Sequence, residues 1–300
     1  MYKLKNILSF IVVFLITIIM FELSACDNAN STKKEFLDNS SFTNSNKSFT
    51  ESYKNDIPLN SNTKIQTGWI KNQVLNGKLG KIHYSYYLPK DYDEKQAYPL
   101  MVAMPGYDMM WFGEESAGSN LSWKGLTAWT ELSLKMIVVS AQLTDWGETS
   151  AKQAVELTEY FIDNFSIDKS RIYASGYSAG GETMSQAVSM RPNLYSAYLH
   201  GASQWDGGYE PLAENKVAVY IFMAENDEYY GSQKAKEAYK NLYSAYKSKG
   251  LTDKQINEYL KLEIPDNDYF NSRSIYNYHG GANILFDDKS ILNWIVSHKK

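Results

Sequence analysis

The sequence is poor in cysteine, in basic clusters and in histidine, and each shortage narrows what the protein can do. Its single cysteine, Cys26, excludes an intramolecular disulfide. No long run of lysine and arginine occurs and the formal net charge is −4, so the positive surface that binds nucleic acid is missing. The chain has four histidines. A catalytic histidine must therefore be one of a very small set.

The N-terminal segment has the layout of a bacterial export signal. Lys3 and Lys5 precede an apolar run over residues 7–21, which is shorter than the ~20 residues that span a bilayer. Leu-Ser-Ala-Cys at 23–26 then resembles a lipobox, whose cysteine becomes the lipid-bearing first residue after cleavage. We expect residues 1–25 to be a lipoprotein signal peptide and Cys26 to anchor the chain to the membrane, outside the cytoplasm. The alternative is an uncleaved anchor with an incidental cysteine.

Composition divides the rest of the chain into a tether and a domain. About half of residues 27–64 are Asn, Ser or Thr, without apolar periodicity, which predicts a disordered tether over residues 26–64. From residue 65 onward, short β-rich runs alternate with stretches of helical period. We therefore expect one α/β domain over residues 65–300, with a mostly parallel central sheet flanked by helices.

Individual elements of this domain can be placed from local patterns. Residues 70–75 and 81–88 flank a glycine-containing turn and predict an N-terminal β-hairpin. Five buried strands are expected at residues 99–104, 136–141, 171–175, 196–200 and 217–223. Ser150 with Gln153 has the pattern of a capping box at the start of a helix. Further helices are expected over residues 232–249, ended by Gly250, and around Trp294, whereas residues 251–271 have the character of an insertion.

The strongest catalytic signal follows the predicted strand at residues 171–175. Gly176-Tyr177-Ser178-Ala179-Gly180-Gly181 leads into a stretch that can form a helix, which gives the order strand, turn, helix. Such a turn strains the serine backbone and presents its hydroxyl at the edge of a sheet, and glycines two residues to either side leave room for it. We predict Ser178 to be a nucleophile. The alternative is a glycine-rich structural turn.

A serine nucleophile needs a base and an acid that orients the base, and on this fold they follow in the order acid, then histidine. His279 precedes the last helix and is the preferred base over His83, His200 and His298. Asp227 follows the predicted strand at 217–223 and is the preferred acid. The fallback acids are Asp206, Asp266 and Asp268.

The remaining site predictions concern backbone donors and aromatic walls. The N–H groups of Tyr107 and Ala179 are expected to form the oxyanion hole, because the first follows an early strand and the second follows the nucleophile. Five aromatic residues come after predicted strands at the catalytic edge and are candidates to contact substrate. They are Trp111, Trp146, Trp205, Tyr229 and Tyr230.

From residue 84 to the end, the chain resembles the α/β-hydrolase esterases grouped with polyhydroxybutyrate-depolymerase-like and prolyl-oligopeptidase-like hydrolases. Tyr87-Leu88-Pro89-Lys90-Asp91-Tyr92 and Ile167-Asp168-Lys169-Ser170-Arg171-Ile172-Tyr173 carry this resemblance together with the turn around Ser178. It implies the α/β-hydrolase fold and a triad of Ser178, Asp227 and His279. The chain departs from these relatives at Pro105, where they usually have histidine, and at Ala224, where glycine is common.

The leading hypothesis is a carboxylic ester hydrolase that works through an acyl-enzyme on small or polymeric esters, without a metal or an organic cofactor. A peptidase of prolyl-oligopeptidase type is the alternative enzyme, and we expect peptides to be poor substrates because the chain has little room for that family's propeller domain. A surface lipoprotein that binds glycans or partners without catalysis is the alternative from another class. The acyl group and the alcohol are left open by the sequence.

Overall fold

The computed structural model describes residues 65–300. The predicted signal peptide, Cys26 and the tether lie outside the described residues, and they stay predictions. The helices within residues 65–300 are each too short or too polar to cross a membrane.

A single sheet of eight strands forms the centre of the described domain. Its spatial order is β1-β2-β4-β3-β5-β6-β7-β8; β1 and β2 pair antiparallel, as do β2 and β4, and every other neighbouring pair is parallel. The strands are β1 Gly68–Gly77, β2 Gly80–Leu88, β3 Tyr98–Met104, β4 Ile137–Gln142, β5 Ile167–Tyr177, β6 Ala197–Gly201, β7 Ala218–Phe222 and β8 Leu260–Glu263. The predicted α/β-hydrolase architecture with an N-terminal hairpin is confirmed.

Helices cover the sheet and fill the crossovers between its strands. The α-helices are α1 Lys124–Thr127, α2 Glu148–Asn164, α3 Ala179–Met190, α4 Glu210–Glu214, α5 Ser232–Ser248, α6 Asp253–Tyr259, α7 Asn267–Asn271, α8 Tyr278–Gly281 and α9 Lys289–Val296. Short 3₁₀ turns occur at Tyr107–Met109, Glu114–Ser116, Ser119–Ser122, Ala128–Glu131 and Ala282–Asp287. As expected, α5 ends just before Gly250, whose φ of +83° suits glycine.

The central strands are buried on both faces, which explains their continuous apolar sequences. Every residue of β3 and β4 is buried, and so is the second half of β5. A parallel sheet covered by helices on both sides requires this, because its crossovers pack over each face. The carboxyl ends of β5 and β7 therefore open at one edge of the sheet, where side chains that follow the strands can meet.

Two local predictions are wrong. The helix predicted to start at Ser150 begins at Glu148 after Gly147, so Ser150 is buried inside it, its hydroxyl has no hydrogen-bond partner, and Gln153 donates to the Leu79 carbonyl instead of capping. The segment 251–271 is no insertion: it supplies α6, the edge strand β8 that pairs with β7, and α7. It completes the sheet.

Candidate active site

Ser178 lies on a sharp turn between β5 and α3. Its φ of 52° and ψ of −129° are unfavourable for a residue with a side chain. Backbone contacts hold it there: the Ser178 N–H donates to the Gly201 carbonyl at 3.0 Å, and its carbonyl accepts the Ser203 hydroxyl at 2.7 Å. The end of β6 and the loop that follows it thus maintain a strained serine, as the sequence predicts.

The glycines around the serine allow the backbone to pack closely. A Cβ atom on Gly176 would stand 2.5 Å from the Gly180 carbonyl oxygen, and one on Gly180 would overlap the carbonyl oxygens of Met104 and Pro105. Real side chains do not tolerate such contacts. Glycine at both positions is therefore required for the turn to fit between β3 and α3.

His279 lies beside the serine hydroxyl. Its Nε2 is 3.0 Å from Ser178 Oγ, although the two residues are 101 positions apart in the chain. The short helix α8 carries His279, with the Asn277 side chain accepting the Gly280 N–H at 2.7 Å. The Tyr177 hydroxyl donates to the His279 carbonyl, so the residue before the serine also supports the histidine loop.

Asp227 holds the other nitrogen of the imidazole. Its Oδ2 accepts from His279 Nδ1 at 2.8 Å, and its Oδ1 accepts the backbone N–H groups of Tyr229 and Tyr230 at 3.0 and 2.8 Å. The Asp227 side chain is fully buried. Burial alone raises the pKa of Asp227, but His279 and the two N–H groups outweigh it and hold the pKa below its ordinary value. The carboxylate thus stays charged and fixes the tautomer with a free Nε2 lone pair.

The other candidate bases and acids lie elsewhere. His200 is buried in β6 between the Tyr198 hydroxyl and the Ser203 carbonyl, and His83 stacks on Trp111. His298 contacts the backbone carbonyls of residues 294 and 258. Asp266 caps α7. The structure thus brings together the preferred serine, acid and histidine, and it places no other candidate acid on His279.

Both predicted oxyanion donors begin helical turns beside Ser178. Ala179 is the first residue of α3, and Tyr107 is the first of a 3₁₀ turn. The N–H of a first helical residue has no intrahelical acceptor and is free to bind an anion. The backbone of Gly106 lies against the serine, because a Cβ built on it would be 3.3 Å from Ser178 Cβ. Both residues line the cavity in front of Ser178.

A buried glutamine at the end of β4 fixes the loop that carries Tyr107. Gln142 accepts the Gly118 N–H at 2.7 Å and donates to the Ser116 carbonyl at 2.8 Å and the Met109 carbonyl at 3.2 Å. Because these contacts span the loop after β3, one side chain sets the loop's path. That path determines where the Tyr107 N–H points.

Ser178 opens into a cavity of about 560 Å³. Six of its fifteen lining residues are tyrosine or tryptophan, and they include three of the five predicted contact residues, Trp146, Tyr229 and Tyr230. The lining residues are Gly106, Tyr107, Asp108, Met109, Trp123, Trp146, Tyr177, Ser178, Ala179, Glu182, Tyr229, Tyr230, His279, Gly280 and Asn283. Tyr229 stacks over the His279 ring with centroids 5.4 Å apart, and Tyr230 meets the same ring edge-on at 5.6 Å.

Trp111 and Trp205 do not line the cavity, which corrects their prediction as substrate contacts. Trp111 stacks on His83 of β2 with ring centroids 3.4 Å apart, because the loop after β3 folds back over the hairpin. Trp205 packs on Tyr209 and His200, and its indole N–H donates to the Gly207 carbonyl at 2.9 Å. Both tryptophans pack within the domain next to the site.

Sequence reasoning missed Glu182, Trp123 and Asn283 as cavity residues. Glu182 comes four residues after Ser178 on α3, and helical side chains lean toward the N-terminus, so this spacing alone aims it at the serine. Trp123 and Asn283 come from segments 160 residues apart that meet through a hydrogen bond of 2.8 Å. No local sequence pattern predicts the contact between Trp123 and Asn283.

Part of the chain is similar to a known protein family. Residues 140–258, less than half of the chain, match the model of the prolyl oligopeptidase family. The match includes Ser178 and Asp227 and ends before His279. No curated protein matches the chain.

Several solved structures share the fold. A thermostable esterase has a TM-score of 0.64 at 18% identity, with 76% of this chain and 62% of that chain covered. A putative dipeptidyl aminopeptidase IV from Bacteroides ovatus scores 0.54 at 17% identity over 76% and 35%. MGS-M1, an α/β hydrolase enzyme from a deep-sea metagenome library, scores 0.51 at 12% identity over 75% and 97%. The chain spans less than two thirds of the first two proteins, and these likenesses establish the α/β-hydrolase fold.

Proposed function

We propose that this chain, a serine hydrolase of the α/β-hydrolase fold, cleaves carboxylic esters through an acyl-enzyme formed on Ser178. The observation that carries the proposal is the chain of contacts from Ser178 Oγ to His279 Nε2 at 3.0 Å and from His279 Nδ1 to Asp227 at 2.8 Å. This arrangement lets the imidazole take the serine proton while the carboxylate stabilises the imidazolium.

The proposed reaction has two halves. Ser178 Oγ attacks the ester carbonyl as its proton passes to His279, and the carbonyl oxygen becomes an oxyanion bound by the N–H groups of Tyr107 and Ala179. The imidazolium then protonates the departing alcohol, which leaves an acyl group on the serine. Water, deprotonated by His279, attacks that acyl group and releases the acid.

A fluorophosphonate probe tests this proposal directly, since it reacts with activated serines. We expect one covalent adduct at Ser178 by mass spectrometry and hydrolysis of p-nitrophenyl acetate, both lost in Ser178→Ala. Ser175→Ala is a matched control, because the buried Ser175 hydroxyl has no hydrogen-bond partner and its loss leaves the site intact. If the correctly folded protein shows no labelled serine, the proposal is wrong.

Peptide cleavage is the second candidate, because the matching family model is that of prolyl oligopeptidases. An ester expels an alcohol, which is a better leaving group than an amine, so it depends less on protonation by the histidine. We therefore rank esters first. Measuring kcat/KM for p-nitrophenyl acetate and for prolyl p-nitroanilide separates the two, and a preference for the anilide would reverse the order.

We also propose that the enzyme acts outside the cytoplasm as a lipoprotein bound to the membrane through Cys26. The support is the sequence of residues 3–26, with its basic start, apolar run and lipobox-like end. Metabolic labelling with a palmitate analogue should mark the wild type and not Cys26→Ala. Equal labelling of both would contradict the anchor.

A further inference from the structure

A buried carboxylate that the triad does not use faces the nucleophile. Glu182 lies one helical turn after Ser178 on α3, is 6% exposed and lines the catalytic cavity. The Tyr230 hydroxyl donates to its Oε1, and the Gln204 amide donates to its Oε2 at 3.3 Å. Tyr230 also packs edge-on against the His279 ring, with centroids 5.6 Å apart, so one side chain separates Glu182 from the catalytic histidine.

Glu182 has no cationic partner within the part of the chain that the structure describes. None of the salt bridges among residues 65–300 includes it. The lining of the cavity contains Asp108 as a second carboxylate and neither lysine nor arginine. Buried charges are costly unless they are paired. A positive group that enters the cavity would therefore supply the counter-charge that the described residues do not give Glu182.

The electrostatics around Glu182 favour a cation still further. Burial raises the pKa of Glu182, and the neighbouring Asp206 carboxylate raises it as well. A positive group in the cavity would oppose both effects and hold Glu182 in its charged form. The same group would find aromatic faces at the mouth, where Tyr107, Trp146 and Tyr229 are 52%, 41% and 75% exposed. Aromatic faces attract ammonium groups through their ring quadrupoles.

We propose that Glu182 makes the catalytic cavity selective for esters that carry an ammonium group near the scissile bond. The proposal deepens the proposed esterase function and rests on it. Glu182 is a specificity residue here: its carboxylate contacts the substrate cation, whereas Ser178, His279 and Asp227 perform the chemistry. An acidic substrate is disfavoured by the same carboxylate.

Isosteric ester pairs test the selectivity. Choline acetate and 3,3-dimethylbutyl acetate differ only by nitrogen against carbon in the alcohol, and betaine methyl ester and methyl 3,3-dimethylbutanoate differ in the same way in the acyl group. We expect the ratio of kcat/KM, cationic over neutral, to fall about thirtyfold or more in Glu182→Gln for at least one pair, because losing one partner of a buried charge pair has an effect of that size. Differences in intrinsic reactivity cancel when ratios are compared.

Glu210→Gln is the matched control, since it removes an exposed carboxylate at the start of α4 and should leave both ratios unchanged. Unchanged ratios in Glu182→Gln for both pairs would overturn the proposal. The pair that responds shows whether the cation belongs to the acyl group or to the alcohol.

A second measurement needs no variant at Glu182. Tetramethylammonium chloride should inhibit hydrolysis of the neutral p-nitrophenyl acetate competitively, whereas sodium chloride at equal ionic strength should not. Equal effects of the two salts would count against a cation subsite. If wild type cleaves neutral esters through Ser178 but shows no preference, the selectivity fails and the esterase function stands; if it cleaves no ester of either charge, the esterase function fails.

Discussion

The Glu228 carboxylate accepts the backbone N–H of His279 at 2.7 Å, while its other oxygen accepts that of Tyr278 at 2.8 Å. Glu228 follows Asp227 directly, so one loop holds the histidine twice, by its ring and by its backbone. Burial alone raises the pKa of Glu228, but the two N–H groups outweigh it and hold the pKa below its ordinary value. The carboxylate is therefore charged at neutral pH.

We expect Glu228→Ala to lower kcat for p-nitrophenyl acetate about tenfold with little change in KM, because a loosened His279 spends less time in line with Ser178. Glu228→Gln keeps one acceptor oxygen, so its kcat should lie between the values of the wild type and Glu228→Ala. The neighbouring exposed Glu225 provides the control as Glu225→Gln. Wild-type kcat in Glu228→Ala would show that the Asp227 contact positions the histidine by itself.

Asp227→Asn should lower kcat by roughly 10³–10⁴ without unfolding the protein. The asparagine oxygen would still accept the N–H groups of Tyr229 and Tyr230, so the asparagine NH₂ would face His279 Nδ1. Because the NH₂ donates, Nδ1 would have to accept, which reverses the tautomer of the imidazole. Nε2 would then carry a proton and could not take that of Ser178. Circular dichroism and steady-state kinetics check this.

Asp268→Asn is the control for that substitution, because it removes an exposed carboxylate that sequence reasoning kept as a fallback acid. It should leave kcat within about twofold. More than a tenth of wild-type activity in Asp227→Asn would mean that another group orients His279.

Gly180→Ala should both destabilise the protein and inactivate it, since the new methyl group would overlap the Met104 and Pro105 carbonyl oxygens. Overpacking of this kind costs roughly 1–3 kcal/mol or more, which lowers the Tm by about 5 °C in a domain of this size. Gly147→Ala adds the same methyl group where the nearest atom is 3.9 Å away. We expect it to keep its Tm and activity, and equal Tm values for the two variants would contradict the packing argument.

The turn around Ser178 is predictable because its determinants are contiguous in sequence: a strand, two glycines and a helix follow one another. The same holds for the hairpin of β1 and β2. The edge strand β8 is hard to predict, because Leu260–Glu263 has only four residues, in which leucines alternate with charged residues. A strand at the edge of a sheet needs an apolar side chain on one face only.

Side-chain placement at the site is harder to predict than the order of elements. Trp111 and Trp205 both follow strands at the catalytic edge, yet neither lines the cavity. Trp111 packs on His83, and Trp205 packs on His200. Whether an aromatic ring faces a cavity depends on its rotamer and on partners from distant segments. Glu182 is the exception, since helical spacing from Ser178 is enough to predict its direction.

His200 should make the protein sensitive to acid. It is 1% exposed, and burial lowers its pKa from 6.5 to about 4, although the Ser203 carbonyl opposes this. Between pH 6.5 and about 4, His200 is protonated in the unfolded chain but neutral in the folded protein. The free energy of unfolding therefore falls as the pH drops through this window, by ~3 kcal/mol once the pH is below the folded-state pKa. Urea unfolding at pH 7.5 and 4.5 should show a loss of stability that is smaller by ~2 kcal/mol in His200→Gln than in the wild type. An identical loss in the two proteins would exclude His200 as its source.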